Sequence, residues 1–223
     1  LKTLEEIRPE FEEEGEFLLI EAEEITDKFR QYQVHINAVN LAEPIKPQHG
    51  ESVVDTMRKN LQMVEEQSKR LGRPILTHLN HPNFRWSVTP QQLAEVVEEQ
   101  FFEVYNGHPG INHLGDESRP GDKAPPLFGV ATDDSHNYHG GDVSPGRGWV
   151  MVWSESLEAG QLVEAMQRGE FYGSSGVEME TIDYDQSARK QVVEMKKIDG
   201  VSYETKFIGA ILKITRSLSY QVI

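Results

Sequence analysis

Glu16 to Leu41 reads EFLLIEAEEITDKFRQYQVHINAVNL, and the direction of its strands decides what the rest of the chain can build. The first part, EFLLIEAEEIT, reads as one strand. Phe17 to Ile20 is a continuous apolar run suited to burial on both faces of a sheet. YQVHINAVNL reads as a second strand, with Val34, Ile36 and Ala38 alternating with His35, Asn37 and Val39. Upstream, LKTLEEIRPEFEEEG suggests a short acidic helix ended by Gly15.

Downstream, helix and strand patterns take turns. Val53, Val54, Met57, Leu61, Val64 and Leu71 approximate a 3.6-residue period that Gly72 and Pro74 stop. RPILTHL is a short strand. Thr89-Pro90 opens the next helix as cap and first-turn proline. FFEVYN, PLFGVATDD and GWVMVW are strands, and Ser156 caps a helix ended by Gly169. This alternation predicts an α/β domain with largely parallel strands. From Gly176 the pattern changes: VEMETIDYD, QVVEMKKI and YETKFIGAILKI read as strands without helices between them. The expected division is a domain over 1–175 and a β-rich appendage over 176–223. Between Asn106 and Leu127 lie about twenty residues with no helical period, long for such a connection. That spacing suggests that residues are missing around Pro120 to Lys123.

Lys+Arg number 22 against 37 Asp+Glu, a net charge of −15 that disfavours general attraction to nucleic acid or anionic membranes. No apolar run approaches the roughly 18 residues a membrane-spanning helix needs. The reading is a soluble protein, cytoplasmic, periplasmic or secreted, of undetermined oligomeric state. The absence of cysteine excludes disulfides, thiolate metal sites and a cysteine nucleophile. GxSxG, P-loop and GxGxxG signatures are absent as well.

In parallel α/β folds, functional groups gather at the carboxyl ends of strands. The expected ends are Glu23 with Glu24, Asn37 with Asn40, THLNHP with His78 and His81, YNGH from Tyr105 to His108, and TDDSH with Asp134 and His136, while His35 falls inside its strand. Imidazoles and carboxylates are the nitrogen and oxygen ligands that Mn, Fe and Zn accept. On an extended chain Asp134 and His136 point to one side, and Asp133 to the other. Bland readings stand beside these. Glu24 could cap a turn, His35 could be a buried hydrogen-bonded histidine, and His78 and His81 could merely flank a turn. Tyr105-Asn106-Gly107 suits a turn for backbone reasons. His49, His108, His113 and His139 fall in polar stretches and read as solvated.

Taken together, these segments resemble the PHP (polymerase and histidinol phosphatase) family of metal-dependent phosphoesterases. AEEIT is similar to its Gly-x-Glu strand end, with Ala22 in place of Gly and Glu24 as ligand. VHINAVN resembles its following His segment, PILTHLNHP its His-Pro motif, and GVATDDSH its Ser-Asp-x-His ending. LVEAMQRGEFYGSSG resembles the segment that often closes these domains in bacterial proteins. The resemblance spans about Phe17 to Gly176. It implies a distorted (β/α)7 barrel, with the β-rich appendage following. The family's His-x-His and Asp-His segments do not precede Glu24, so the implied barrel lacks its first strands, and the missing part is expected upstream of Leu1.

The resemblance further implies a metal-dependent hydrolase of phosphate esters. Glu24, His35, His81, Asp134 and His136 would ligate divalent Mn, Fe or Zn, in a cluster of up to three ions. His78 would orient a ligand or touch substrate, and Arg147 would clamp phosphate, although an exposed loop arginine explains it equally. The partner is a small phosphorylated substrate. The alternatives are a degenerate binding or scaffolding protein and a metal-dependent hydrolase of another bond.

Overall fold

The computed structural model describes residues 2–108, 127–206, 208–211 and 219–222. The suspected gap around Pro120 to Lys123 lies outside the described residues. In chain order the elements are α1 (Leu4–Phe11), β1 (Ala22–Phe29), β2 (Tyr32–Val39), α2 (Val53–Leu71), β3 (Leu76–Leu79), α3 (Pro90–Glu95), β4 (Phe101–Asn106), β5 (Phe128–Thr132), β6 (Trp149–Val152), α4 (Ala159–Gln167), β7 (Phe171–Ser174), β8 (Met179–Asp185), β9 (Lys190–Met195), β10 (Ile208–Ile211) and β11 (Ser219–Val222).

Local chemistry explains most boundaries. Thr3 and Glu6 form a capping box at α1, which ends at Phe11, short of Gly15. Ser52 caps α2, and Gly72 ends it in the left-handed conformation, φ 59°. Thr89 and Gln92 form a second capping box, with Pro90 in the first turn of α3. Ser156 does not cap α4; Glu158 occupies that position without a side-chain bond.

Leu1–Gly176 forms one compact unit, organised by a five-stranded sheet in the order β1-β2-β3-β4-β5. β1 pairs antiparallel with β2 and β2 antiparallel with β3, while β3–β4 and β4–β5 are parallel. One face packs on α2 and α3: Val34, Ile36, Leu79 and Phe102 bury against Val53, Met57, Leu61, Leu93 and Val96. Beside it, Ile25 and Ala38 pack with Val64 and Ile75. A third cluster joins Leu76, Phe101 and Val130 to Val163 and Met166 of α4, with Val150, Val152 and Phe171 of the β6–β7 hairpin against it.

The expected (β/α)7 barrel lacking its first strands is therefore not what the chain forms. A barrel of that kind needs parallel strands joined by helices, and this sheet is mixed and does not close. The cause lies in the opening stretch. Only Arg30 and Gln31 separate β1 from β2, and a two-residue link permits nothing but an antiparallel hairpin. Arg30 takes the left-handed conformation, φ 56°, that such tight turns demand. Phe17 to Ile20 lies before β1, and Phe17 is exposed instead of buried on two faces.

Val177–Ile223 forms the second compact unit. Its regular structure among the described residues is two antiparallel pairs, β8–β9 and β10–β11. No helix among the described residues is long and apolar enough to cross a membrane.

Candidate metal centre

β1 and β2 carry alternating side chains, so Glu24 and Thr26 share one face with His35 and Asn37. Register aligns Glu24, Asn37 and His78 in one cross-strand row, with Thr26 and His35 in the next. One expected placement changes with the hairpin: Glu24 is near the start of β1, not at a strand's carboxyl end, while His35 lies within β2 as its strand pattern suggests. His78 is on β3, and His81 follows it in the connection toward α3.

Glu24, His35 and His81 converge. Their ligand atoms all lie within 4.8 Å of one another, the one such group of three or more among the described residues. Glu24 Oε1 is 2.9 Å from His35 Nδ1 and 3.7 Å from His81 Nε2. The imidazoles meet edge to face, with ring centroids 5.0 Å apart. Two ligands of one ion, each about 2 Å from it, stand up to about 4 Å apart, so Glu24 fits a shared ion with either histidine. The trio can hold a metal ion.

Electrostatics keep Glu24 anionic and make His81 more basic, so a proton competes with an ion for His81. His35 first, then His81 and Asn80, hold the Glu24 carboxyl far below the usual carboxylate range, against the pull of burial. Burial disfavours a charged His81, but Glu24 and the charges of Glu103 and Asp134 outweigh it and raise its pKa. His78 is fully buried, and burial pushes it down to about 4, so it is neutral at physiological pH. Its Nε2 is 3.2 Å from Asn37 Nδ2, and its Nδ1 has no partner.

Asp134 and His136 form a neighbouring pair, Oδ1 to Nε2 3.2 Å, outside the compact trio. Asp134 is near enough to act on His81 by charge. His136 is largely exposed, and the His108 ring meets it edge to face at 5.5 Å; His108, expected to be solvated, is half-buried. Asp133 points elsewhere and accepts the backbone N–H groups of Gly146, Arg147 and Gly148 at 2.9, 2.6 and 2.8 Å. Arg147 is half-buried and tied in through that N–H. Gly107 and Gly148 let backbones pass closely here: an added Cβ would lie 2.5 Å from Asp133 O and 2.4 Å from Thr132 O, respectively.

Sequence reasoning missed the amides around these candidate residues. Asn80 Nδ2 donates to Glu24 Oε1 at 3.0 Å, and Asn106, read as a turn residue, donates to Asp134 Oδ2 at 3.1 Å. It also missed Glu103, buried in β4. A charge between Phe102 and Val104, inside an apolar strand, was the available signal. His49, expected to be solvated, is exposed but anchored by Asp27: their Nδ1 and Oδ1 are 2.8 Å apart.

No family model matches the chain, and no curated protein matches it.

Proposed function

We propose that the protein is a metal-dependent hydrolase acting on a phosphate ester. The convergence of Glu24, His35 and His81 on one small volume carries this reading. The order of the motifs, which resembles that of the PHP phosphoesterases, supports it; the barrel is not needed for it. Glu24 is the anionic ligand and stays ionised at any working pH. His35 and His81 are the imidazole ligands, and Asp134 with His136 completes the cluster from the neighbouring pair. Mn, Fe or Zn at such a site binds phosphate oxygens and supplies hydroxide near neutral pH.

The chain's own residues orient and bind. His78, uncharged, fixes Asn37, which faces Glu24 across the hairpin. Arg147, in the loop that Asp133 pins, clamps the phosphate. The local charge opposes the acidic chain as a whole, because bound cations and Arg147 reverse it at the site.

The test is metal analysis with an activity assay on the purified protein. After incubation with Mn, Fe or Zn, the protein should retain metal stoichiometrically and cleave an aryl phosphate. Glu24→Ala should lose both while keeping its fold. Retained metal with no cleavage of any phosphate ester refutes the substrate class. No retained metal refutes the whole reading and leaves Glu24, His35 and His81 as a self-satisfied polar cluster.

A further inference from the structure

We propose that Glu103 is the positioning residue of this site, one buried carboxylate that holds His81 and Asp134 in place before any ion arrives. The proposal rests on the metal-site reading above. Its physical basis is a β-bulge. On β5, Val130 and Thr132 are two residues apart and share a face; their partners on β4 are Glu103 and Asn106, three residues apart. In a regular strand Glu103 and Asn106 would point to opposite faces. The register shift between Glu103 and Tyr105 absorbs one residue, Val104, whose side chain is exposed. Glu103 and Asn106 consequently stand side by side, and bulges beside functional sites commonly re-aim a side chain in this way.

The contacts of Glu103 have one polarity. Oε2 accepts the His81 N–H at 2.7 Å and the Asn106 amide at 2.8 Å, and Oε1 accepts the Thr132 hydroxyl. All three partners donate, so a carboxylate satisfies them together. The same Asn106 amide group reaches Asp134 Oδ2 at 3.1 Å. Glu103 therefore grips one ligand through its backbone and the other through a single amide.

Both ligands need a grip. His81 has φ 23° and Asp134 φ 47°, conformations that residues with a Cβ seldom adopt and that persist only where their surroundings impose them. Without Glu103 the two backbones relax, and an arriving ion must order them. Partners that orient metal ligands typically contribute ten- to a hundredfold in affinity.

The experiment measures Mn2+ and Zn2+ affinity of the full chain by calorimetry, well below the unfolding temperature. Glu103→Gln keeps the volume but turns an NH2 group toward donors. It should bind metal roughly ten- to a hundredfold more weakly with an unchanged far-UV spectrum. Asn106→Ala cuts the Asp134 arm, and with it the Asn106 acceptor of the His108 N–H, but leaves the His81 arm, and should weaken binding by a smaller factor. The double variant should be less than additive, because the Asp134 arm that Asn106→Ala cuts is one of the two that Glu103→Gln already loosens. If Glu103→Gln does not fold, Asn106→Ala decides. Unchanged affinity in a folded Glu103→Gln, or in Asn106→Ala, overturns the role of Glu103 while leaving the metal site standing. A wild-type chain that binds neither ion overturns both. Hydrolytic activity does not enter the readout, so failure of the phosphoesterase reading remains separate.

Discussion

Replacing Glu99 by Gln should stabilise the protein at neutral and alkaline pH and leave it nearly unchanged near pH 5. Glu99 lies between α3 and β4, 1% exposed, and lines a groove of about 800 Å³ shared with Arg58, Glu65 and Glu98. Its Oε1 accepts the Phe101 N–H at 2.9 Å, while the buried Oε2 completes no hydrogen bond. Burial pushes the carboxyl up from 4.5 to about 7, and the nearby donors of Phe101, Thr77 and Gln100 offset only part of that. The folded state thus holds a proton that the unfolded state has already released. A carboxyl with a raised folded pKa contributes full stability below 4.5 and loses it as pH climbs through 7. The loss amounts to about 3 kcal/mol once both states are ionised. Glutamine keeps the Phe101 acceptor and cannot ionise. Relative to wild type, Glu99→Gln should gain little at pH 5 and up to about 3 kcal/mol by pH 8.5, or roughly 6–12 °C in Tm. Urea melts and thermal scans at half-unit pH steps read the difference directly. A gain independent of pH, or no gain at pH 8.5, would show that Glu99 does not titrate as a buried acid and would refute the reasoning.

Three further outcomes follow from the same physics. His78 titrates in the opposite sense to Glu99: its folded value of about 4 lies below the ordinary 6.5, so metal-free protein should lose up to about 3 kcal/mol as pH falls from 6.5 to 4. His78→Asn should flatten that part of the stability profile, and an unchanged slope would place the acid sensitivity elsewhere. Asp27 is buried and accepts from Lys28 N, His49 N and Asn60 Nδ2 as well as pairing with the His49 ring, so Asp27→Ala should cost roughly 2–4 kcal/mol in chemical denaturation. The same variant should accelerate hydrogen exchange at the His49 amide. Gly148→Ala forces a Cβ to 2.4 Å from Thr132 O, backbone that cannot swing aside, and should lower Tm measurably; an unshifted Tm would mean that β6 can move away from β5.

Much of the candidate site was legible because metal ligation would need few residue types, and these stand out in strands. Glu24, His35 and His81 were each marked by a polar side chain beside an apolar strand pattern, and they do converge. Asp134 and His136 do touch, but Asp134 takes the left-handed conformation, φ 47°, and not the extended one from which their common side was read. The amides were not legible, because Asn80 and Asn106 suit turns as readily as they suit an orienting role. Glu103 was harder still. Its orientation depends on a bulge at Val104, and a one-residue slip in register leaves no mark in the local pattern.

Capping and periodicity placed the helices within a few residues because those signals are local: Ser52 and Gly72 bound α2 whatever surrounds it. Strand direction is not local. VHINAV alternates identically whether its neighbours run parallel or antiparallel, so the sequence determined that β2 is a strand with His35 and Asn37 on one face. Only the tertiary structure decided that the chain reverses at Arg30-Gln31, pairs β2 antiparallel on both sides, and leaves an open mixed sheet where helix–strand alternation points to largely parallel strands. The reason is physical. A side chain's face follows from the pleat of its own strand, but a strand's partner is selected by burial and hydrogen bonding summed over residues far apart in the chain.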